Sequence, residues 1–302
     1  ATALWIMLLY DYFKWTDDRE LLDTLWPNTL ACMDWIDENL KTTGYASYKK
    51  RSPVGLDNQC WKDSYNSNIH EDGSLAEAPL SPVEVQGYTY AAKVRMAELA
   101  RYRNETELEN KLLQEAADFK KRFHQDYWME DLQFYALGLD KDNKQMRAIT
   151  SNPGHCIETG LLDPYYANIV AERFFEPDMF SGWGIRTLSS KSLAYNPMSY
   201  HNGSIWPHDN SLIALGLSKI GRLDLCLRVT SALFEAARLM NYKRLPELFC
   251  GFPRVYKKQD PPVMYPVACS PQAWAAASVF LLIQSIINVY PDAQCNELRI
   301  KN

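Results

Sequence analysis

The sequence predicts an all-α protein built from consecutive helical hairpins that are arranged as a toroid. Two observations support this prediction. Apolar residues recur at helical spacing along most of the 302 residues, and the connections alternate between short turns and long loops rich in polar and aromatic residues. In a toroid of hairpins the short turns lie on one face and the long loops on the other, where they can line a single pocket. We find no sequence repeat at a fixed period, which argues against a binding solenoid.

The first two helices are read from their apolar faces. Leu4, Leu8 and Trp15 share one face of the first helix, and the second is expected to begin after Asp17, with Glu20 completing a capping box. The remaining helices are expected at 83–103, 104–123, 162–174, 211–220, 223–240 and 271–289, with cap signals at Asn104 and at Ser270 followed by Pro271. Alternating aromatic and polar residues from Tyr127 to Ile149 predict a small β-hairpin inserted between helices.

Composition excludes several classes of protein. Acidic and basic residues are mixed along the chain, with a formal net charge of −5, so nucleic acid is not an expected partner. No run reaches the roughly 18 apolar residues needed to cross a bilayer, so no membrane span is expected. The seven cysteines form no CxxC pair and fit neither a zinc site nor a disulfide framework. We therefore predict a cytoplasmic protein without a metal or another cofactor.

The long loops hold side chains that can cleave a glycosidic bond. This reaction needs one carboxyl group to protonate the leaving oxygen and a second to activate water, together with aromatic platforms for the sugar. The segment from Trp61 to Asp63 places a carboxylate beside an indole and an ammonium group. Glu247 lies in a constrained turn directly after a proline, and the stretch 195–210 is dense in hydrogen-bonding and aromatic groups.

Each of these residues also has a structural interpretation. Asp63 could form a turn or cap a helix, and Glu247 could make a surface ion pair with Arg244. His201 and His208 could be structural histidines, and three tryptophans could belong to the core: Trp183, Trp206 and Trp274. Residue types and spacing alone therefore indicate a helical protein with a polar, aromatic pocket.

Five ordered motifs add a family resemblance over nearly the whole chain. They are Asn58-Gln-Cys-Trp-Lys-Asp63, Glu84-Val-Gln-Gly-Tyr88, Asn196-Pro-Met-Ser-Tyr-His-Asn-Gly-Ser-Ile-Trp-Pro-His-Asp209, Leu245-Pro-Glu-Leu248 and Cys269-Ser-Pro-Gln-Ala-Trp274. With these motifs, and with its opening Ala1-Thr-Ala-Leu-Trp5, the sequence resembles the C-terminal catalytic domain of glycogen-debranching enzymes, including the bacterial amylo-α-1,6-glucosidase-like proteins.

The resemblance implies an (α/α)6 barrel and an inverting hydrolysis that releases glucose from an α-glucan or α-glucoside. It implies that Asp63 is the general acid and Glu247 the general base. It also places seven further residues in or near the sugar pocket: Trp61, Gln86, His201, Asn202, Trp206, Asp209 and Gln272. Because an inward-pointing Lys62 would lower the pKa of the acid and hinder its role, we expect Lys62 to point away or pair elsewhere.

The start of the chain departs from the family pattern. A complete barrel has twelve helices, whereas this sequence begins inside a helical pattern and is expected to open near the third. We therefore interpret residues 1–302 as a single catalytic domain, an N-terminally truncated fragment of a longer protein that lacks its first helices. Without those helices, apolar faces of the first and last helices should be exposed.

Other functions on the same barrel remain open. A trehalase-like or glucosidase-I-like exo-α-glucosidase would differ in linkage preference, which residues outside the motifs would decide. A phosphorylase would attack with inorganic phosphate and would need no base, so Glu247 argues against it. A carbohydrate-binding descendant without turnover is disfavoured by the presence of both carboxylates.

Overall fold

The computed structural model describes residues 1–255 and 260–300 of the chain. Its described α-helices, in chain order, are α1 Thr2–Thr16, α2 Arg19–Thr43, α3 Val83–Tyr102, α4 Thr106–Tyr127, α5 Pro153–Thr159, α6 Pro164–Arg173, α7 Pro207–Lys219, α8 Leu223–Leu239 and α9 Ala273–Ile287. The strands are short: β1 Ser81–Pro82, β2 Trp128–Met129, β3 Phe134–Tyr135, β4 Gly138–Leu139, β5 Val289–Asp292 and β6 Glu297–Ile300. The predicted all-α class is therefore confirmed.

The helices form two layers. In the inner layer α1, α3, α5, α7 and α9 contact one another in that order, and α2, α4 and α8 pack against the inner helices beside them. Side chains of all five inner helices line one cavity of about 890 Å³. Among its lining residues, Lys14, Arg101 and Lys219 lie in the last turns of their helices, so the cavity lies at the short-turn end. The inner row therefore curves around a centre, while a closed barrel of six hairpins stays a prediction.

A β-hairpin connects the two ends of the inner row. Strands β5 and β6 pair antiparallel directly after α9, and the hairpin contacts α1. Asp292 forms an ion pair with Lys14 at 3.0 Å, and the Gln294 side chain donates to the backbone carbonyl of Phe13 at 2.7 Å. The hairpin thus occupies the space between α9 and α1.

The connections alternate as the sequence predicts. Short turns at 17–18, 103–105, 160–163 and 220–222 join an inner helix to the next outer one. Long segments at 44–82, 128–152, 174–206 and 240–272 lead from each outer helix back to the inner layer. All the long segments therefore leave the helices at one end, opposite the cavity described above.

Local details differ from the sequence-based expectations. Asp18, not Asp17, caps α2 by accepting from the Leu21 amide, because Asp17 has a left-handed conformation that ends α1. Asn104 also has a positive φ, so α4 begins after Glu105, and Gln272 rather than Ser270 caps α9.

The sequence does not predict helix α5, because its seven residues are too few to show a helical period. The predicted hairpin at 127–149 is present as β2 and β3, while β4 pairs with β1.

Apolar side chains are exposed on helices at both ends of the row, as expected. On α1, Leu8 is 66% exposed and Trp15 is also exposed, and on α9 Phe280 is 76% exposed. Among the described residues, none of the helices combines the length and apolarity needed to cross a membrane.

Two long loops come into close contact at Gly251 and Gly203. The amide of Gly251 donates to the carbonyl of Pro197 at 2.8 Å. A Cβ atom at residue 251 would lie 1.7 Å from the carbonyl oxygen of Gly203. The atoms that would collide belong to the backbone, so neither loop can avoid the clash by a change of side-chain rotamer.

We expect Gly251→Ala to lower the free energy of unfolding by about 3 kcal/mol, because the two loops must separate to admit the methyl group. Gly221→Ala is the matched control. Gly221 has φ +80° but nothing within 4 Å of an added Cβ, so only the backbone strain of about 1 kcal/mol applies. Urea unfolding followed by circular dichroism measures both. An equal loss in the two variants would contradict the close approach.

Candidate active site

Three long loops bring the predicted acid and base into one site. Asp63 comes from the loop before α3, and Glu247 from the loop before α9. The loop before α7 lies between them and bonds to both. Ile205 of that loop exchanges two backbone hydrogen bonds with Phe249, at 2.9 and 3.0 Å, which fixes the segment that carries Glu247. Both carboxylates thus lie at the long-loop end of the helices.

Lys62 anchors the loop that carries Asp63. Its ammonium group is buried and donates to the backbone carbonyl of Thr187 at 2.6 Å. Burial lowers the pKa of Lys62 to about 8, although the charges of Asp209 and Glu84 oppose this shift. The side chain thus pairs elsewhere, as expected, and leaves the carboxyl group of Asp63 without an ammonium partner from its neighbour.

The carboxyl group of Asp63 is half-buried. Its pKa is raised above the ordinary value mainly by burial. A hydrogen bond from its own backbone opposes this shift, and the charge of Glu247 adds to it. All else being equal, a raised pKa keeps a carboxyl group protonated to higher pH, as a proton donor requires.

Glu247 is held by hydrogen bonds at both oxygens. It is 8% exposed, the hydroxyl of Tyr200 donates to Oε1 at 2.6 Å, and the amide of Cys269 donates to Oε2 at 3.0 Å. The amide of Glu247 in turn donates to the carbonyl of Cys269 at 3.0 Å. Glu247 is therefore a buried, oriented carboxylate, and Arg244, the alternative ion-pair partner, is exposed.

Aromatic rings surround Trp61. Its ring lies 5.6 Å from that of Trp206 at 80° and 5.4 Å from that of His201. Trp206 is 1% exposed, so its buried ring packs against the inner side of Trp61. Trp274 stacks on His208 with ring centroids 4.1 Å apart and an angle of 10°. Trp61, His208 and Trp274 are partly exposed and form flat faces suited to the C–H faces of a sugar.

Two of the predicted pocket residues bond to the loop of the acid. Nδ1 of His201 lies 2.8 Å from the hydroxyl of Ser64 and accepts from the Ser64 amide at 3.4 Å. The side-chain amide of Asn202 donates to the carbonyl of Asn66 at 2.8 Å. Both side chains are buried. They therefore hold the loop that carries Asp63 in place.

The two predicted glutamines have structural partners. Gln86 is fully buried, and its amide bonds to the backbone of Ala46 and Pro82 at 2.9 to 3.0 Å. The side chain of Gln272 accepts from the amide of Ala275 as the cap of α9. Gln86 thus holds the loop before α3 against that helix, and Gln272 fixes the start of α9.

Asp209 belongs to a buried polar chain. Its Oδ1 lies 2.8 Å from Nε2 of His155, whose Nδ1 lies 2.6 Å from the hydroxyl of Tyr88. Glu84 is also fully buried and accepts from Asn152 at 3.0 Å. These groups come from the first two turns of α3 and from the starts of α5 and α7, and the ring of His155 packs against Trp61.

Several polar atoms of this cluster are buried without a hydrogen-bond partner in the described part of the chain. They are Trp61 Nε1, Glu84 Oε1, His201 Nε2, His208 Nδ1 and Asp209 Oδ2. Each such atom costs roughly 1 to 3 kcal/mol relative to a paired one. A concentration of these costs at one place is typical of a functional site.

The sequence alone indicates no role for Tyr200, Glu84 or His155. Tyr200 and Glu84 lie inside quoted motifs, so their positions could have been suspected. No sequence pattern indicates a role for His155, because the helix that places it is too short to be predicted. In residues 1–255 and 260–300, no group of three or more His, Cys, Asp or Glu side chains could hold a metal ion.

Comparisons with solved structures agree on the fold. GH63 mannosylglycerate hydrolase from Thermus thermophilus, in complex with Tris, aligns with a TM-score of 0.63 and 15% identity over 94% of this chain and 75% of that chain. The GH78 family rhamnosidase of Bacillus sp. GL1 aligns with a TM-score of 0.66 and 15% identity, over 96% of this chain and 27% of its own. A sialidase aligns with a TM-score of 0.68 and 11% identity, over 92% and 25%.

The chain thus spans about a quarter of the sialidase and of the rhamnosidase. A comparison with curated proteins gave no match.

Residues 1–251 match the family described as the mannosylglycerate hydrolase MGH1-like glycoside hydrolase domain. The match includes both predicted catalytic carboxylates. It confirms that the chain has a glycoside hydrolase domain, but the matched family is not the debranching family that the motifs implied. Because the match covers most of the 302 residues, the chain belongs to the family of mannosylglycerate hydrolase MGH1-like glycoside hydrolase domains.

Proposed function

We propose that this domain hydrolyses an α-glycosidic bond with inversion, with Asp63 as general acid and Glu247 as general base. The main support for the proposal is that two carboxyl groups with different surroundings lie together at the long-loop end of the helices. Asp63 is half-buried with a raised pKa, as a proton donor needs. Glu247 accepts hydrogen bonds at both oxygens, which suits an ionised carboxylate.

In the proposed reaction Asp63 donates its proton to the glycosidic oxygen as the bond to the anomeric carbon breaks. Glu247 takes a proton from a water molecule that attacks the opposite face of the sugar. A water molecule fits between base and sugar only when the carboxyl groups are roughly 6.5 to 9.5 Å apart, which we expect for this pair. Trp61 supplies a flat ring beside the acid.

Two substrate classes are candidates. The motif resemblance favours release of glucose from α-1,6-linked glucans, as in debranching. The family match favours a small glycoside, since the family is described by mannosylglycerate hydrolase. The trehalase-like and glucosidase-I-like alternatives would also use the same acid and base.

We expect the protein to act on a short α-glycoside and to release one terminal sugar in each reaction. The natural full-length protein should be assayed on α-mannosylglycerate and on α-1,6, α-1,4, α-1,2 and α,α-1,1 glucosides. Mannose release alone would support the small-glycoside class, and glucose from the α-1,6 substrate would support debranching. Absence of sugar release from the whole panel would favour a non-catalytic descendant.

The two carboxylates should differ in their response to the leaving group. Asp63→Asn should slow hydrolysis of a glycoside by about 10² to 10⁴-fold, but should affect the matching α-glycosyl fluoride far less, since fluoride leaves without a proton. Glu247→Gln should slow both substrates by a similar factor, because both need the activated water. Steady-state kinetics on the two substrates measures this difference.

Asp57→Asn is the control for the first variant, because Asp57 lies in the same loop, is exposed and pairs with Lys50. It should retain full activity. If Asp63→Asn hydrolysed the glycoside normally, Asp63 would not be the acid.

The stereochemical outcome provides a separate prediction. An α-linked substrate should release the β-anomer first, because water attacks the face opposite the leaving group. Proton NMR within the first minutes, before mutarotation, distinguishes the anomers. Initial release of the α-anomer would exclude an inverting reaction with Glu247 as base.

A further inference from the structure

The segment Tyr200–Asn202 bonds to both carboxylate-bearing loops. The hydroxyl of Tyr200 donates to Oε1 of Glu247 at 2.6 Å. The next residue, His201, contacts Ser64 through Nδ1 at 2.8 Å, and Ser64 directly follows Asp63. Asn202 donates to the carbonyl of Asn66 at 2.8 Å. Three consecutive side chains therefore connect the loop of the base to the loop of the acid.

The backbone of this segment is itself fixed. The carbonyl of Tyr200 accepts from the indole of Trp206 at 2.9 Å and from the hydroxyl of Ser204 at 2.5 Å. The carbonyl of Asn202 accepts from the amide of Asn196 at 2.9 Å. The segment can therefore hold its contacts in a defined geometry.

Ring packing fixes the two aromatic side chains. The imidazole of His201 stacks on Trp206 with centroids 4.9 Å apart and an angle of 14°. The ring of Tyr200 lies 4.9 Å from Trp206 and 5.5 Å from Tyr265. Two side chains held against one indole cannot change rotamer independently.

His201 is poorly placed to contact a sugar or to transfer protons. It is 1% exposed, and burial, with the nearby charge of Lys62, lowers its pKa to about 3. The imidazole is therefore neutral at working pH, and Nδ1 can remain an acceptor for the Ser64 amide. This leaves a positioning role for a residue that the motif resemblance assigns to the sugar pocket.

We propose that Tyr200, His201 and Asn202 form a positioning segment that sets the relative placement of the acid Asp63 and the base Glu247. This inference rests on the proposed function. Tyr200 orients the base through a direct hydrogen bond, while His201 and Asn202 orient the acid through its loop. Because Tyr200 and the Cys269 amide each take one oxygen of Glu247, they also limit the directions left for the attacking water.

The first test separates the two halves of the segment. Tyr200→Phe should lower kcat about tenfold on both the glycoside and the fluoride, with KM nearly unchanged, because the base loses its orientation. His201→Leu should instead slow the glycoside and spare the fluoride, because only the acid is displaced.

Conservative variants distinguish positioning from a general structural role. His201→Asn keeps an acceptor near the position of Nδ1 and should recover much of the activity lost in His201→Leu. If His201→Leu does not fold, Ser64→Ala removes the hydroxyl from the same contact and should also slow the glycoside selectively. Tyr195→Phe is the matched control, because Tyr195 lies in the same loop and donates to the carbonyl of Gly251 at 3.1 Å. It should leave kcat and KM unchanged on both substrates.

The outcomes separate this inference from the proposed function. If Asp63→Asn and Glu247→Gln keep full activity, the proposed function fails. If those two variants are impaired as expected but Tyr200→Phe leaves kcat unchanged on both substrates, the positioning role alone is overturned. A rise in KM with constant kcat in the Tyr200 and His201 variants would overturn it too, because it would identify them as sugar-binding residues.

Discussion

The geometry of the site depends on the need to pair the backbone groups of the long loops where these are buried. In the residues that the structure describes, these loops have little regular secondary structure, yet a buried amide or carbonyl without a partner is costly. They therefore pair with one another. Ile205 bonds to Phe249 across two loops, and the amide of Gly251 bonds to the carbonyl of Pro197. This backbone pairing holds the Glu247 loop against the loop before α7. The side chains of Lys62 and Asn202 hold the Asp63 loop against the same loop.

Buried charge adds a second constraint. Lys62 gives up most of its hydration and bonds to the Thr187 carbonyl, close to the charges of Glu84 and Asp209. Such a group is expensive to bury, so its position is strongly specified. Because Lys62 is adjacent to Asp63, the loop cannot shift without moving the ammonium group from this environment. The starts of α3 and α7, which supply the two acidic groups, therefore help to fix the predicted acid.

Sequence periodicity predicted the helices well where the segments were long. Helices α3 and α8 lie close to their expected ranges because an apolar face of several turns gives a clear period. Helix α5 has seven residues and gave no period, so His155 was overlooked. The cap of α2 was misplaced by one residue, since adjacent aspartates are equivalent in sequence and only the left-handed backbone of Asp17 distinguishes them.

The sequence by itself determined the all-α class, the alternation of short turns and long loops, and the identity of the two candidate carboxylates. These features follow from local periodicity and from ordered motifs. Only the tertiary structure decided what each motif residue contacts. Gln86 bonds to Ala46, His201 to Ser64 and Tyr200 to Glu247, in pairs separated by 40 to 137 residues. A hydrogen bond between distant segments depends on how helices and loops pack, which no local pattern encodes.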